Sequence, residues 1–257
     1  MTMTDKDIEI INEITNQITF YGPLLIIISG TLGSLCNVIT FTSRQLRFNS
    51  CAFYFLCSSI FDLFYLLFGG ITRLMIDHFS NVLPNTSVLL CKCRTYLVVV
   101  IPSLSTIFIM LASMDRCLST SNSRKWRNLS RINIAWRVAI ITLVILMFST
   151  SHILFLFELR AKDVNSNTYI CGPRNNIYKI FISIYVFLIG PFMTYTIMFI
   201  CTMITLIRIR TLKYRMGYSL NRRRKTIHDN MDRHLITLLF VQFIVYRQTT
   251  STKIFTE

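Results

Sequence analysis

Residues 95–117 read TYLVVVIPSLSTIFIMLASMDRC, predominantly apolar as far as Met114 and then abruptly charged at Asp115-Arg116. An α-helix needs about 20 such residues to cross a hydrocarbon core about 30 Å thick. Four other stretches have the same character, at 23–43, 51–72, 134–157 and 178–207. A sixth opens at Leu235 and has given way by Arg247-Gln-Thr-Thr-Ser-Thr-Lys. The chain is 53% hydrophobic with a mean hydropathy of +0.51, and 15% of it is charged, against about 25% in a typical soluble domain. A soluble chain of 257 residues would build one core rather than five apolar runs joined by short charged loops. The expectation is an all-α, multi-pass membrane protein. Residues 1–20 form its polar amino-terminal segment, 21–246 its membrane domain and 247–257 an aberrant tail.

The net charge of +15 would suit a nucleic-acid partner, but its distribution points elsewhere. Basic residues gather in alternate loops: Arg44 and Arg47; Arg124, Lys125, Arg127 and Arg131; Arg208, Arg210, Lys213, Arg215 and Arg222-Arg-Arg-Lys225. The acids Asp5, Asp7, Glu9, Glu13, Asp77, Glu158 and Asp163 fall in the intervening segments. Lys and Arg beside a span favour the cytoplasmic side. The amino terminus is therefore expected outside a plasma membrane, with the loops after spans one, three and five inside. Those loops also suit anionic membrane lipid, at about 1 kcal/mol per basic residue. No nucleic-acid partner is expected. Residues 1–20 lack a basic start followed by a short apolar core, so the first span is expected to act as its own insertion signal.

Cys36, Cys51, Cys57, Cys117 and Cys201 fall within spans or at their inner ends, where cysteine behaves as a small buried apolar residue. Cys91, Cys93 and Cys171 fall on the outer, oxidising side, where two of the three can pair. Asn85-Thr86-Ser87 in an outer loop is a glycan acceptor, whereas Asn128-Leu-Ser130 is expected inside and bare. At membrane depth, Asp62 stands out. It lies twelve residues after Ser50, about 18 Å along a helix, where a carboxylate costs about 2.5–3.5 kcal/mol and must face the bundle interior with a partner or ion. Asn37 and Ser105 are expected at similar depth on spans one and three, as members of one hydrated cluster. Asp115 and Arg116 end the third span and can pair with each other.

In this order, these residues resemble the rhodopsin-like (class A) G-protein-coupled receptors. Gly33-Ser-Leu-Cys-Asn37 is similar to the family's Gly-Asn signature, and Ser58-Ser-Ile-Phe-Asp62-Leu to its Leu-x-x-x-Asp-Leu. Asp115-Arg116-Cys117 stands where the family usually has Asp-Arg-Tyr. Cys91 lies twenty-five residues before Arg116, and Cys171 in Tyr169-Ile-Cys-Gly-Pro173 of the second outer loop. Pro191, in Ile189-Gly-Pro-Phe, matches the proline of span five. The resemblance implies a seven-helix receptor bundle and a Cys91–Cys171 disulfide, with Cys93 as the rival to Cys91. It implies a sodium pocket of Asp62, Asn37 and Ser105, with no other cofactor. Arg116, held at rest by Asp115, would be released to meet a heterotrimeric G protein, and Pro191 would kink span five. The position of the amine-pairing Asp of aminergic receptors is Val98 here, so an amine is not expected. An outer loop long enough for a hairpin, near 158–177, leaves an extracellular peptide as the expected ligand.

Departures accompany the match. Pro102 interrupts the third span, Cys117 replaces a Tyr, and both Trp136 and Phe148 compete as the fourth-span marker. The family's aromatic–Pro bend of span six and the Asn-Pro-x-x-Tyr of span seven are missing, and the residues after Tyr246 read as sequence following an interruption. An alternative role is a truncated, non-signalling fragment that dimerises with or traps a full-length receptor. A transporter or channel would call for repeats, broken helices or charge rings, none of which is seen. No enzymatic activity is expected: His78, His152, His228 and His234 lack metal-site spacing, and no phosphate loop or nucleophile–base pair is present.

Overall fold

The structure, a computed structural model, describes residues 5–44, 46, 49–78, 87–121, 123–161 and 169–216. It is mostly helical, and five of its helices are long and apolar enough to span a membrane: Glu13–Phe41, Ser50–Arg73, Val88–Ser119, Ile132–Leu156 and Asn176–Thr211. Each contains or overlaps one of the five apolar runs. The stretch opening at Leu235 and the tail lie outside the described residues. The chain divides into two units, Met1–Leu206 and Ile207–Glu257. The first holds four spans and most of the fifth. The second contributes, among the described residues, the helical stretch 207–216.

The first span lies in α1 (Asp5–Phe41), which takes in most of the polar segment 1–20 and passes through Pro23. The second comprises α2 (Ser50–Phe64), a π-helical turn (Tyr65–Gly70) and α3 (Ile71–His78). Asn49 starts it as an N-cap, its side-chain oxygen accepting the Cys51 amide at 3.1 Å, which satisfies one of the open donors of the first turn. Glycine sets how closely α1 approaches this span. A Cβ on Gly30 would lie 2.8 Å from Leu66, and one on Gly70 2.8 Å from Ile27. Without a hydrophobic drive between helices in lipid, such small residues permit the close packing that holds spans together.

The third span, α4 (Val88–Ser119), is the axis of the first unit. Buried residues make up 39% of its apolar window, against 6% for the first span. Val100, Leu104, Phe108 and Ala112 recur every fourth position and bury one stripe of the helix, as 3.6 residues per turn demands. Phe108 stacks on Phe61 at 5.6 Å and on Tyr54 at 6.4 Å, both from α2. Pro102 does not break the helix. Thr106 and Ser103 donate their hydroxyls to carbonyls one turn back, at 2.7 Å, the usual way such groups are satisfied in lipid.

A short α5 (Arg124–Leu129) leads into the fourth span, made of α6 (Ile132–Thr150) and α7 (His152–Leu156). Ala135 and Ala139 give it a small-residue face against the core. Trp136 packs on Phe53 of α2 at 4.5 Å, whereas Phe148 is 82% exposed; of the two markers, Trp136 is the one engaged with a neighbouring span. Strands β1 (Phe157–Ala161) and β2 (Tyr169–Pro173) then form an antiparallel hairpin in which Leu159 faces Cys171. The fifth span comprises α8 (Asn176–Phe187), a second π turn (Leu188–Phe192) and α9 (Met193–Met216).

Candidate functional site

Three polar stations lie along α4, the first tying it to the hairpin, the second to α2 and the third to both α2 and α5. At the hairpin end, Cys91 forms a disulfide with Cys171, with Cα atoms 5.7 Å apart. Cys93 remains a free, exposed thiol, because two steps along a helix turn a side chain about 200° away. Cys91 is 1% exposed, and the hairpin is thereby fixed over the start of the third span. Tyr96 reinforces this end by donating its hydroxyl to Met147 O at 3.0 Å.

Ser105 marks the second station, fourteen residues on, or about 21 Å. Its hydroxyl donates to Asp62 Oδ1 at 2.6 Å. Ser58 Oγ lies 2.9 Å from Ser105 Oγ. A hydroxyl has one proton to give, and that of Ser105 goes to the carboxylate, while Ser58 stands beside both and also hydrogen-bonds to Asp62. The result is a relay of two serines, Ser58 and Ser105, converging on Asp62. Ser58 was not among the residues expected here, though its position one helical turn before Asp62 places both on one face of α2. Asn37 does not join them. It sits on an exposed face of α1, while Ser34, three residues earlier, is the buried polar residue of that helix. The expected three-span cluster is therefore a two-span relay among the described residues.

The third station is at the opposite end of α4, where Asp115 is 6% exposed. Both of its oxygens are engaged. Ser130, the residue that closes α5, donates to Oδ1 at 2.6 Å, and Ser50 at the start of α2 donates to Oδ2 at 2.9 Å. Ser50 Oγ also lies 3.1 Å from Ser130 O. The expected pairing of Asp115 with Arg116 does not form. Neighbouring residues on a helix point about 100° apart, and Arg116 is directed to Cys51 instead, its Nε donating to Sγ at 3.0 Å. Cys51 Sγ is in turn 3.7 Å from Ala112 O. Neither Ser130 nor Cys51 stood out in the sequence as a partner. Cys117, next along the helix, hydrogen-bonds through its thiol to Cys201 of the fifth span.

Pro191 lies inside the π turn of the fifth span, and Thr194 donates to Ile189 O, five residues back, at 3.2 Å. Pro191, lacking an N–H, leaves one helical hydrogen bond unmade within this widened turn. His152 is a packing group. Its Nδ1 lies 2.8 Å from Ser149 O, and its ring meets Tyr178, Phe181 and Tyr185 edge-on. Asn85 lies outside the described residues. No cluster of three or more metal-ligating His, Cys, Asp or Glu side chains occurs among the described residues.

The relay supplies hard oxygen donors on two facing spans, a donor set suited to a small hard cation. Its members would be Asp62, Ser105 and Ser58. The network around Asp115 offers no such opening, since both carboxylate oxygens already accept hydrogen bonds. Searches with this chain against protein-family models and against curated proteins find no match to either.

Proposed function

We propose that this chain is a rhodopsin-like receptor of the plasma membrane. It detects an extracellular ligand, of peptide class, and signals to a heterotrimeric G protein, its five spans belonging to a seven-helix bundle. The amino terminus and the β1–β2 hairpin face outward, and the α5 loop faces the cytoplasm. The observation that carries this reading is the order of stations on one helix. A disulfide to a hairpin, a serine bonded to an intramembrane carboxylate and a tethered Asp-Arg pair follow one another along α4. Family resemblance supplies the roles, and the geometry is compatible with them.

The chain's own residues define what activation must change. In the described arrangement Ser50 and Ser130 occupy Asp115, and Cys51 engages Arg116. An extracellular ligand acts by differential affinity for a state in which these tethers are rearranged and Arg116 is free to meet the G protein. A sodium ion at Asp62, Ser105 and Ser58 would supply positive charge to the buried carboxylate and favour the arrangement in which the two spans share it. The direct test is G-protein nucleotide exchange in membranes carrying the chain, challenged with a peptide library, beside Arg116→Ala. Peptide-dependent exchange that is lost in the variant, with surface delivery intact, supports the reading. No exchange with any G-protein class from a disulfide-linked, surface-delivered chain contradicts it.

A second reading draws on Asn37. An amide at span depth on a face that no described element covers favours contact with another polypeptide over lipid. On that reading the chain assembles as a dimer with a full-length receptor and restrains it without signalling. Co-purification with such a receptor, weakened by Asn37→Leu, would distinguish it.

A further inference from the structure

We propose that Ser130 is a phosphorylation site for a basophilic Ser/Thr protein kinase, and that its modification unlatches the α5 loop from the third span. The inference rests on the proposed orientation, with α5 in the cytoplasm. Three observations carry it. Ser130 Oγ is the closest donor to Asp115, at 2.6 Å from Oδ1, and holds the loop to α4 together with Ser50. Arg127 stands three residues before Ser130, with Arg124 and Lys125 further upstream, the basic approach that an Arg-directed kinase recognises by charge. Ser130 also follows a six-residue helix, which has little stability of its own and can unwind into a kinase cleft. Ser119 has the same spacing from Arg116 and is exposed at the last residue of α4, but its hydroxyl donates to Arg116 O at 2.9 Å and holds no other element, so its modification would release no latch.

In the transfer, Ser130 Oγ attacks the γ-phosphorus of kinase-bound ATP. The Oγ–P bond forms, the bond from that phosphorus to the β,γ-bridging oxygen breaks, ADP departs with the electron pair, and the hydroxyl proton passes to the kinase's base. The product carries about two negative charges where the hydroxyl faced Asp115, and it has lost the proton it donated. It also sits at the C-terminus of α5, the negative end of that helix. Both effects expel it. Exposed Arg124, Lys125, Arg127 and Arg131 offer the phosphate charge-assisted partners on the loop itself. The latch thus exchanges a bond to α4 for bonds within the loop.

The test uses the full chain in sealed membrane vesicles of both orientations, incubated with an Arg-directed kinase and ATP and mapped by mass spectrometry. Phosphate at Ser130 in inside-out vesicles, abolished in Ser130→Ala, is the expected result. No phosphate at Ser130 in either orientation, nor in detergent with Asp115→Asn to free the hydroxyl, overturns the proposal and leaves the receptor reading standing. Phosphate only in right-side-out vesicles overturns the orientation on which both rest. For unlatching, Ser130→Asp should lower Tm about 4 °C beyond Ser130→Ala, and Asp115→Asn should remove that excess. Equal Tm values for Ser130→Ala and Ser130→Asp would mean that charge at this position does not open the latch.

Discussion

Asp62 and Asp115 are placed almost as mirror images. Asp62, on the second span, accepts from a serine of the third; Asp115, on the third, accepts from a serine of the second. They differ in how fully they are used. Asp115 has both oxygens committed and draws in a third element through Ser130. Asp62 is engaged by Ser105 at Oδ1 and by Ser58 of its own helix, and among the described residues it draws in no third element, so part of the acceptor capacity of its carboxylate is uncommitted. A carboxylate with each oxygen held by a different element of its own fold is a tether. One with spare capacity in a low-dielectric surrounding is a place for a cation or a proton, because an incompletely paired buried charge is costly. The two ends of the same helix pair are thus suited to different work: holding at Asp115, sensing at Asp62.

The comparison breaks most readily at Asp115. Asp115→Ala strands the Ser50 and Ser130 hydroxyls and should cost about 3–5 kcal/mol, read as loss of thermal stability in nanodiscs. Asp115→Asn should cost about half of that, because one carbonyl oxygen still accepts. Next in size, Phe108→Ala removes the ring stacked on Tyr54 and Phe61, on the stretch of α4 between Ser105 and Asp115. It should cost about 3 kcal/mol. Ser105→Ala should cost about 1 kcal/mol. Asp62→Asn should cost less still, since losing one hydrogen bond is offset by removing a buried charge. Exchanging choline chloride for sodium chloride should raise the Tm of the unaltered chain but not that of Asp62→Asn. Smallest of all, Asn37→Leu on its exposed face should stay within about 0.5 kcal/mol in the isolated chain.

The sequence was a good guide to whatever depends on length and a poor one to whatever depends on facing. All five spans follow from runs long enough to cross a bilayer, and the three cysteines between spans point to a disulfide that the structure assigns to Cys91 and Cys171. Asn37 was misplaced because a lipid-facing span is apolar on every side, so hydropathy does not distinguish the face of Ser34 from that of Asn37. Asp115 and Arg116 were joined because they are adjacent in the chain, yet adjacency on a helix separates side chains. Their partners come from 15 and 65 residues away. The π turn at Tyr65–Gly70 has no proline to announce it, whereas the one at Pro191 does.

Paired double-mutant cycles in one membrane preparation, Asp115 with Ser130 and Asp62 with Ser105, weigh the filled carboxylate against the open one. The account gives a coupling of about 2 kcal/mol at Asp115, as for hydrogen bonds to a charged group, and about 0.6 kcal/mol at Asp62, the common value between membrane helices. Equal couplings, or a larger one at Asp62, would contradict it.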